Sequence, residues 1–416
     1  MQGIFSIMIR AVLILIKFGF LILFTKYTTV ENVGVYALLV SFLTLSVFAF
    51  GAELHASACR GVVIEKKISR RNVIFSTHSF FVFVVFALVA VIYLLFSYFG
   101  YLSGWYWMSF TFVLLCFLEL YSQEIGRYLL MMEKPIASNI VQLIKGGAWS
   151  LPALYLISTK PIDEHIDIIL NCWYIATFLS VLVGLYCLKD KVFFIKKIDF
   201  SWLCKALRES RLYWFIAILG QWQMYADRFV LNYFSGPADV GILSVFQNFT
   251  NVIQTFIQVG VIGILLPKLI SKYHDRQYSE FKSYVKKMLS QTLFITLILS
   301  VLLVLFIKIV LEVIDKEIYL QSLDIFYLQL ISSIFLILSL IPHIVLYSMR
   351  ADKQLFSILV LGFPFYLLGL VLFTYFYGMH GLVLSTIIYN FLLMLFETII
   401  AIKFFKGGHN ASLRTI

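Results

Sequence analysis

The chain has 416 residues, of which 61% are hydrophobic and 13% charged, and its mean hydropathy is +0.93. A soluble domain contains about 45–50% apolar and about 25% charged residues, so the composition excludes a water-soluble globule, a disordered chain and a disulfide scaffold. The 33 Lys and Arg against 22 Asp and Glu give a net charge of +11, an excess that in a membrane protein is typical of cytoplasmic loops.

Apolar runs of bilayer-spanning length fill most of the chain. A helix needs about 20 residues to cross about 30 Å of hydrocarbon. The runs that meet this length are 4–26, 33–58, 73–99, 103–131, 136–158, 166–188, 211–235, 239–266, 288–311, 323–348, 354–376 and 380–404. The loops between them are too short for a folded extramembrane domain. We therefore predict an all-α polytopic membrane protein with about twelve transmembrane helices.

The basic residues are distributed unequally between the loops on the two sides. With the N-terminus inside, 24 of the 33 cations fall in cytoplasmic loops and only Lys26, Lys160 and Lys316 on the other side. The remaining six lie within the spans. By the positive-inside rule, this asymmetry predicts that both termini are cytoplasmic.

The two halves of the chain resemble each other. Gly34 and Gly241 each lie in a short Val-Gly motif that opens a predicted span, and they are 207 positions apart. Since each half holds six spans, an even number, both halves enter the membrane in the same orientation and form a parallel repeat. We predict an N-terminal six-helix lobe (1–188), a basic cytoplasmic linker (189–210) and a C-terminal lobe with a short cytoplasmic tail (211–416), with the two lobes around a central cavity.

Polar side chains recur inside the predicted spans, where one ionisable group costs at least about 2.5–3.5 kcal/mol and usually faces a partner or a water-filled cavity. The cations are Arg10, Lys17, Arg127, Lys145 and Arg228; the amides are Gln221, Asn248, Asn251, Gln254 and Gln258; the acids are Glu119, Glu124 and Asp227. We predict that they line one shared cavity. Such a cavity suits an anionic, hydroxyl-rich cargo, because guanidinium and ammonium groups bind phosphate and carboxylate.

Each of these groups also has a structural interpretation. Glu124 and Arg127 are three residues apart on one helix and would equally form an internal ion pair that serves packing alone. The amides of the run 239–266 would equally join neighbouring helices.

Sequence signatures of catalysis are missing. The chain has no GxxxxGK[ST], GxSxG, HExxH or GxGxxG motif, and its 7 histidines and 5 cysteines show no metal-ligand spacing. No loop is long enough for the acceptor site of a membrane glycosyltransferase or polymerase. We therefore predict a secondary-type transporter rather than an enzyme, with no catalytic residues, no metal and no cofactor.

Three stretches of the chain resemble a known family. The stretch 225–244 has the Asp-Arg pair, apolar run, Gly turn and Val-Gly of the seventh-to-eighth span signature of polysaccharide flippases, followed by Leu266-Pro267-Lys268. The segment 27–60 is similar to the N-terminal pattern of that family, and 376–386 to its approach to the last span. Leu243 departs from the family's usual Tyr. The chain therefore resembles the Wzx-type O-antigen flippases of the multidrug/oligosaccharidyl-lipid/polysaccharide exporter superfamily.

This resemblance implies a fold and a function. The expected fold is two six-helix lobes that form a V around a central cavity. The expected cargo is an O-antigen or similar oligosaccharide on undecaprenyl pyrophosphate, moved from the cytoplasmic to the periplasmic leaflet of the bacterial inner membrane for lipopolysaccharide or related polysaccharide biosynthesis. Transport would follow alternating access and draw on an ion gradient rather than on ATP.

Within this hypothesis, the residues in the spans have separate roles. The five cations would hold pyrophosphate or acidic sugars and the amides would contact sugar hydroxyls, while Glu119, Glu124 or Asp227 would couple transport to an ion. The expected partners are the lipid-linked substrate, membrane lipids, a polysaccharide polymerase and chain-length machinery, but no nucleic acid, and we expect a monomer. The alternatives are a cation or drug antiporter of the same superfamily and a membrane polysaccharide polymerase.

Overall fold

The computed structural model describes residues 2–100 and 109–413, and over these residues it contains helices and connecting turns but no β-strand. The described chain divides into two compact units, Met1–Trp222 and Gln223–Ile416. The predicted run 103–131 begins within residues 101–108, which lie outside the described part. The rest of that run and the other predicted spans fall in helical parts of the chain.

The first unit contains α1 (Gln2–Tyr27), α2 (Val30–Gly51), α3 (Leu54–Ile64), α4 (Ile68–Tyr98), α5 (Phe110–Met131), α6 (Pro135–Leu143), α7 (Ser150–Ile157), α8 (His165–Leu188) and the beginning of α9 (Phe200–Ser235). The second unit contains the end of α9, then α10 (Pro237–Ile257), α11 (Gly263–His274), α12 (Tyr278–Ile314), α13 (Glu317–Gln321), α14 (Leu323–Ser348) and α15 (Asp352–Leu413).

Nine stretches of the described chain are long and apolar enough to cross a membrane. The last of them contains two predicted spans. The backbone of α15 breaks between these spans at Gly378, where φ is 57° and ψ is −139°. Two more helices, α5 with 22 residues and α9 with 36, have spanning length but include several charged residues. These stretches account for the twelve predicted spans, so the prediction of an all-α polytopic membrane protein is confirmed.

The second spanning helix of each unit breaks at the same place. Helix α2 ends after 22 residues, where Ala52 and Glu53 adopt left-handed conformations, and α3 follows with 11 residues. Helix α10 ends after 21 residues in a π-turn over 258–262, and α11 follows with 12 residues. The packing order also repeats, since α2 packs on α5 and α5 on α8, as α10 packs on α14 and α14 on α15. This agreement supports the predicted internal repeat.

A second π-turn, over 144–148, separates α6 from α7. Two consecutive glycines lie in this turn, and the side chains of α1 pack directly against them. A Cβ added to Gly147 would lie 2.7 Å from Cδ1 of Leu13, closer than carbon atoms can approach. A larger residue at position 147 would therefore require the Leu13 side chain of α1 to move away from the turn that carries Lys145.

The basic segment between α8 and α9 is fastened to α4. The backbone N–H groups of Phe193, Ile195 and Asp199 donate to side-chain oxygens of Asn72, Ser76 and Thr77 at 3.0, 2.8 and 3.0 Å. These three bonds hold an irregular stretch of chain along one helix. The beginning of α9 continues the attachment, because Leu203 and Ala206 pack on Leu54.

Candidate functional site

A buried ion pair joins α5 to the π-turn at 144–148 in the first unit. Nζ of Lys145 donates to Oε2 of Glu119 at 2.7 Å, and each side chain is only 7% exposed. The other carboxylate oxygen of Glu119 accepts from Nε1 of Trp173 at 2.7 Å and from Oγ1 of Thr177 at 3.4 Å. Because both oxygens are satisfied, this carboxylate is fixed in place, as a buried charge must be.

Aromatic rings enclose the ion pair on one side. The indole of Trp173 stacks on that of Trp149 with ring centroids 5.1 Å apart and an interplanar angle of 11°. Phe20 meets Trp149 edge to face at 4.9 Å. Stacked and edge-to-face pairs of this kind add about 0.5–1.5 kcal/mol each beyond their buried area, so the packing of these rings limits the positions that Trp173 and its hydrogen bond can adopt.

A second charged pair lies one turn further along α5. Nη1 of Arg127 donates to Oε1 of Glu124 at 2.6 Å, and the Arg127 side chain is partly exposed. Oε2 of Glu124 is buried without a hydrogen-bond partner in the described part of the chain. Glu53, at the break between α2 and α3, interacts electrostatically with both residues. Glu124 therefore differs from Glu119 in having one oxygen free.

The two predicted cations of α1 are exposed. Arg10 and Lys17 are seven residues apart, which is close to two helical turns, and both side chains lie on the exposed surface of the unit. Nε of Arg10 donates to Oδ1 of Asn139 at 3.0 Å. Lys17 lies beside Gly146 and interacts electrostatically with Glu119 and Lys145. These two groups can therefore reach a ligand outside the unit.

In the second unit, an amide joins the predicted Asp and Arg. Both Asp227 and Arg228 are buried at 5% and 8% exposure. Nε2 of Gln247 donates to Oδ2 of Asp227, and Oε1 of Gln247 accepts from Nε and Nη2 of Arg228 at 3.3 and 3.2 Å. The backbone N–H of Arg228 donates to Oδ1 of Asp227 at 2.8 Å. The two charges are thus neighbours linked through one neutral side chain.

The predicted amides of α10, and Gln258 in the π-turn that follows it, lie on the outer face of this region. The opposite face, including Phe246 and Ile253, is buried, and α10 packs on α12 and α14. Asn248, Asn251 and Gln258 are exposed and Gln254 is half-buried. Since lipid-facing positions of a span are normally apolar, a polar exposed face within a span is typical of a surface in contact with water or a polar ligand.

The structure thus divides the predicted site residues into groups. Lys145 pairs with Glu119, Arg127 with Glu124, and Arg228 with Asp227 through Gln247. Arg10, Lys17 and the α10 amides remain at the surface, and Gln221 is half-buried within α9. Within the described residues, no cluster of three or more His, Cys, Asp or Glu could hold a metal ion.

Three residues of these networks were not predicted from the sequence. Trp173, Thr177 and Gln247 each bind a predicted carboxylate directly. Trp173 reads as one more apolar residue of a span. Gln247 is adjacent to Asn248 in sequence but points about 100° away from it around the helix. It therefore does not share the face of the predicted amides and was not selected with them.

The sequence matches one family model, described as "Polysaccharide biosynthesis protein", over residues 1–269, which is well over half of the chain. Comparison with the curated proteins gives no match.

Several solved transporter structures share the fold. An inward-facing multidrug resistance MATE family transporter of the MOP superfamily has a TM-score of 0.76 and 11% identity, with 95% of each chain covered. The lipid II flippase MurJ in an inward closed conformation has a TM-score of 0.70 and 15% identity, with 96% of this chain and 87% of that chain covered. An outward-facing MATE family transporter gives a TM-score of 0.58 and 12% identity, with 97% and 93% covered. At these identities the likeness establishes a common fold.

Proposed function

Because the chain belongs to the polysaccharide biosynthesis protein family, we propose that it is a flippase for a lipid-linked oligosaccharide. The cargo would be an O-antigen or similar repeat unit on undecaprenyl pyrophosphate, moved from the cytoplasmic to the periplasmic leaflet of the bacterial inner membrane. Both termini would lie in the cytoplasm, and a polymerase with its chain-length machinery would receive the product. The lipid II flippase MurJ shares this fold, so the fold is compatible with a lipid-linked cargo.

The observation that carries this proposal is the exposed polar surface within the spans. The α10 amides and the α1 cations lie where a lipid-facing surface would be apolar. Amides can bind sugar hydroxyls, and a guanidinium with an ammonium group can bind a pyrophosphate. We assign cargo binding to Arg10, Lys17, Asn248, Asn251, Gln254 and Gln258.

The other cations have a different role in this proposal. Lys145, Arg127 and Arg228 already pair with groups of their own unit. We propose that they position the helices of the site rather than hold pyrophosphate. We add Gln221 to the cargo-binding residues because its side chain is half-buried rather than enclosed.

An ion gradient would drive the transport. The three predicted carboxylates differ in whether they have an oxygen available to bind the coupling ion. Glu119 and Asp227 accept hydrogen bonds on both oxygens. Glu124 has one buried oxygen without a partner among the described residues, so a proton or small cation could bind there without breaking an existing bond. We propose Glu124 as the coupling carboxylate of the first unit.

Charge reversal on α1 tests cargo binding. Arg10→Glu and Lys17→Glu should each reduce flipping at least about tenfold, because a charge-assisted hydrogen bond contributes about 1.5–3 kcal/mol. Flipping is measured as appearance of the lipid-linked oligosaccharide in the outer leaflet of proteoliposomes. Lys308→Glu is the matched control, since Lys308 is also an exposed cation within a span, on α12. Wild-type flipping by both α1 variants, at equal amounts of inserted protein, would overturn the assignment.

The same assay separates the alternative function. A cation or drug antiporter shares this fold with the MATE family structures. It would move a lipophilic cation, and removal of the exposed positive charges of Arg10 and Lys17 should then increase transport. A decrease in oligosaccharide flipping with no gain in cation transport supports the flippase.

A further inference from the structure

One buried carboxylate in the second unit has no role in the site described above. Glu397 lies in the part of α15 that follows Gly378, and it is 3% exposed. Its Oε1 lies 2.9 Å from Nδ1 of His343 on α14, while Oε2 is buried without a hydrogen-bond partner among the described residues. An ionised carboxylate with one unpaired oxygen is costly inside a span. A protonated carboxyl avoids that cost, because it carries no net charge.

His343 connects this carboxylate to the surface. Its side chain is 48% exposed, whereas the Glu397 side chain is 4% exposed. His343 is five residues from Ser348, the end of α14, which places it about 8 Å from the helix terminus. An imidazole can take a proton at one ring nitrogen and release one from the other. His343 is thus placed between the protein surface and a buried acid.

Other titratable groups approach the pair from the interior of the same unit. Tyr389, two turns before Glu397 on the same helix, interacts electrostatically with it. The Tyr389 ring lies 4.8 Å from that of Tyr366, in the part of α15 before Gly378, and Tyr366 interacts with Asp227 of α9. These interactions connect Glu397 to one imidazole, to two phenols and, further away, to one carboxylate.

We propose that Glu397 and His343 form a proton-binding site of the second unit, separate from Glu119, Glu124 and Asp227. His343 takes a proton from water at Nε2 and releases the proton on Nδ1 to Oε1 of Glu397. The carboxyl is then neutral, its Oε1–H donates to Nδ1 of the neutral imidazole, and Oε2 is an uncharged carbonyl oxygen. One proton moves from water to the buried acid, and the reverse sequence returns it.

The same pair of helices contains a natural control. His380 and Asp324 form a second imidazole–carboxylate pair between α15 and α14, but their side chains are 55% and 56% exposed. Asp324 and His343 lie 19 positions apart on α14, which corresponds to about 29 Å, close to the thickness of the hydrocarbon layer. The two pairs therefore lie near opposite ends of α14 and differ mainly in burial. The exposed carboxylate can be solvated by water and needs no bound proton.

Infrared spectroscopy of the purified full-length protein in lipid nanodiscs tests the site directly. In protein labelled with 13C at the glutamate carboxyl, a protonated Glu397 should contribute a C=O stretching band at neutral pH. Glu397→Gln should remove that component, and Asp324→Asn should leave it unchanged. Glu397→Asp keeps an acid but should also remove the labelled component, so the test remains available if Gln disturbs folding. An unchanged band in Glu397→Gln and Glu397→Asp would overturn the proposal.

The role of His343 has a separate readout. In wild-type protein transferred to D₂O, the labelled band should shift as the carboxyl proton exchanges for deuterium. His343→Asn should keep the band but slow this shift at least about tenfold, an added barrier of about 1.4 kcal/mol. His380→Asn should leave the exchange rate unchanged. Equal exchange rates in His343→Asn and wild type would show that His343 does not pass the proton.

Discussion

The two units of the molecule stabilise buried charge in different ways. In the first unit, Lys145 contacts Glu119 directly at 2.7 Å and both are almost inaccessible. In the second unit, Asp227 and Arg228 are equally buried, but Gln247 lies between their side chains and satisfies both. One unit therefore uses a direct ion pair where the other uses a neutral amide as a bridge.

This difference indicates which changes each unit tolerates. A direct pair in a low-dielectric interior gains strong Coulomb attraction, but losing one partner leaves an uncompensated charge. An amide bridge distributes the contacts over several hydrogen bonds, so its removal leaves Asp227 with the backbone N–H of Arg228 and the two charges still close together. The first unit should therefore be more sensitive to single substitutions at its buried charges than the second.

The largest effect is expected when the direct pair is broken. Lys145→Met should lower the free energy of unfolding by about 3–5 kcal/mol, because Glu119 stays buried without its cation. Denaturant or thermal unfolding in mild detergent, followed by near-ultraviolet circular dichroism of Trp149 and Trp173, measures this change. The double variant Glu119→Gln with Lys145→Met should recover most of the loss, since no charge is left unpaired. A double variant as unstable as Lys145→Met would show that packing rather than charge sets the cost.

A smaller effect is expected when the bridge is removed. Gln247→Ala should lower the free energy of unfolding by about 1–3 kcal/mol, the cost of leaving buried polar groups unsatisfied. Asn248→Ala is the matched control, because it removes an exposed amide from the adjacent position of the same helix and should change stability by at most about 0.5 kcal/mol. Equal effects of the two variants would remove the distinction between the bridge and the exposed face.

The smallest effect is expected at the ion pair of Arg70 and Asp199 in the first unit, because both side chains are partly exposed and water screens their charges. Nη1 of Arg70 donates to Asp199 at 2.7 Å, and the backbone N–H of Trp202 donates to the same carboxylate at 2.9 Å. The Trp202 N–H and then Arg70 hold the pKa of Asp199 below its usual 3.8. Asp199→Asn, which still caps α9, should cost about 0.2–1 kcal/mol at neutral pH.

The pH dependence of this variant has a definite sign. Because the folded-state pKa of Asp199 is lowered, its contribution is complete above its usual pKa and is lost as the pH falls through the lowered value. The stability difference between wild type and Asp199→Asn should therefore shrink as the solution becomes acidic. Unfolding curves at neutral and acidic pH measure it. A difference that grows on acidification would contradict the assignment.

The sequence was sufficient to predict an all-α polytopic membrane protein. Apolar length alone locates a span, because the hydrocarbon layer fixes how many residues a helix needs. It was less informative about where helices break. The π-turn at 144–148 and the left-handed residues Ala52 and Glu53 lie inside runs that read as continuous.

The site was predicted as a set of residues but not as a set of contacts. The rule that polar groups in spans are significant selected Glu119, Lys145, Asp227 and Arg228, and the structure pairs or bridges them. It could not reveal Gln247, because helical periodicity describes one helix and Gln247 acts between α10 and α9. The same rule gave all five cations one role. The packing of whole helices determines that Arg10 and Lys17 are exposed and Lys145 is buried, and the rule contains no information on that packing.

The π-turn after α10 changes how this region should be aligned and mutated. A π-turn holds one residue more than the α-helical turn it replaces, so the angular position of every later side chain is offset by about 100° relative to a continuous α-helix. A helical wheel drawn through residues 248–270 would therefore assign the side chains of α11 to the wrong face of the helix. A deletion of one residue within 258–262 would remove this extra residue and restore the regular turn, so Pro267 and Lys268 would keep the environment that they have now.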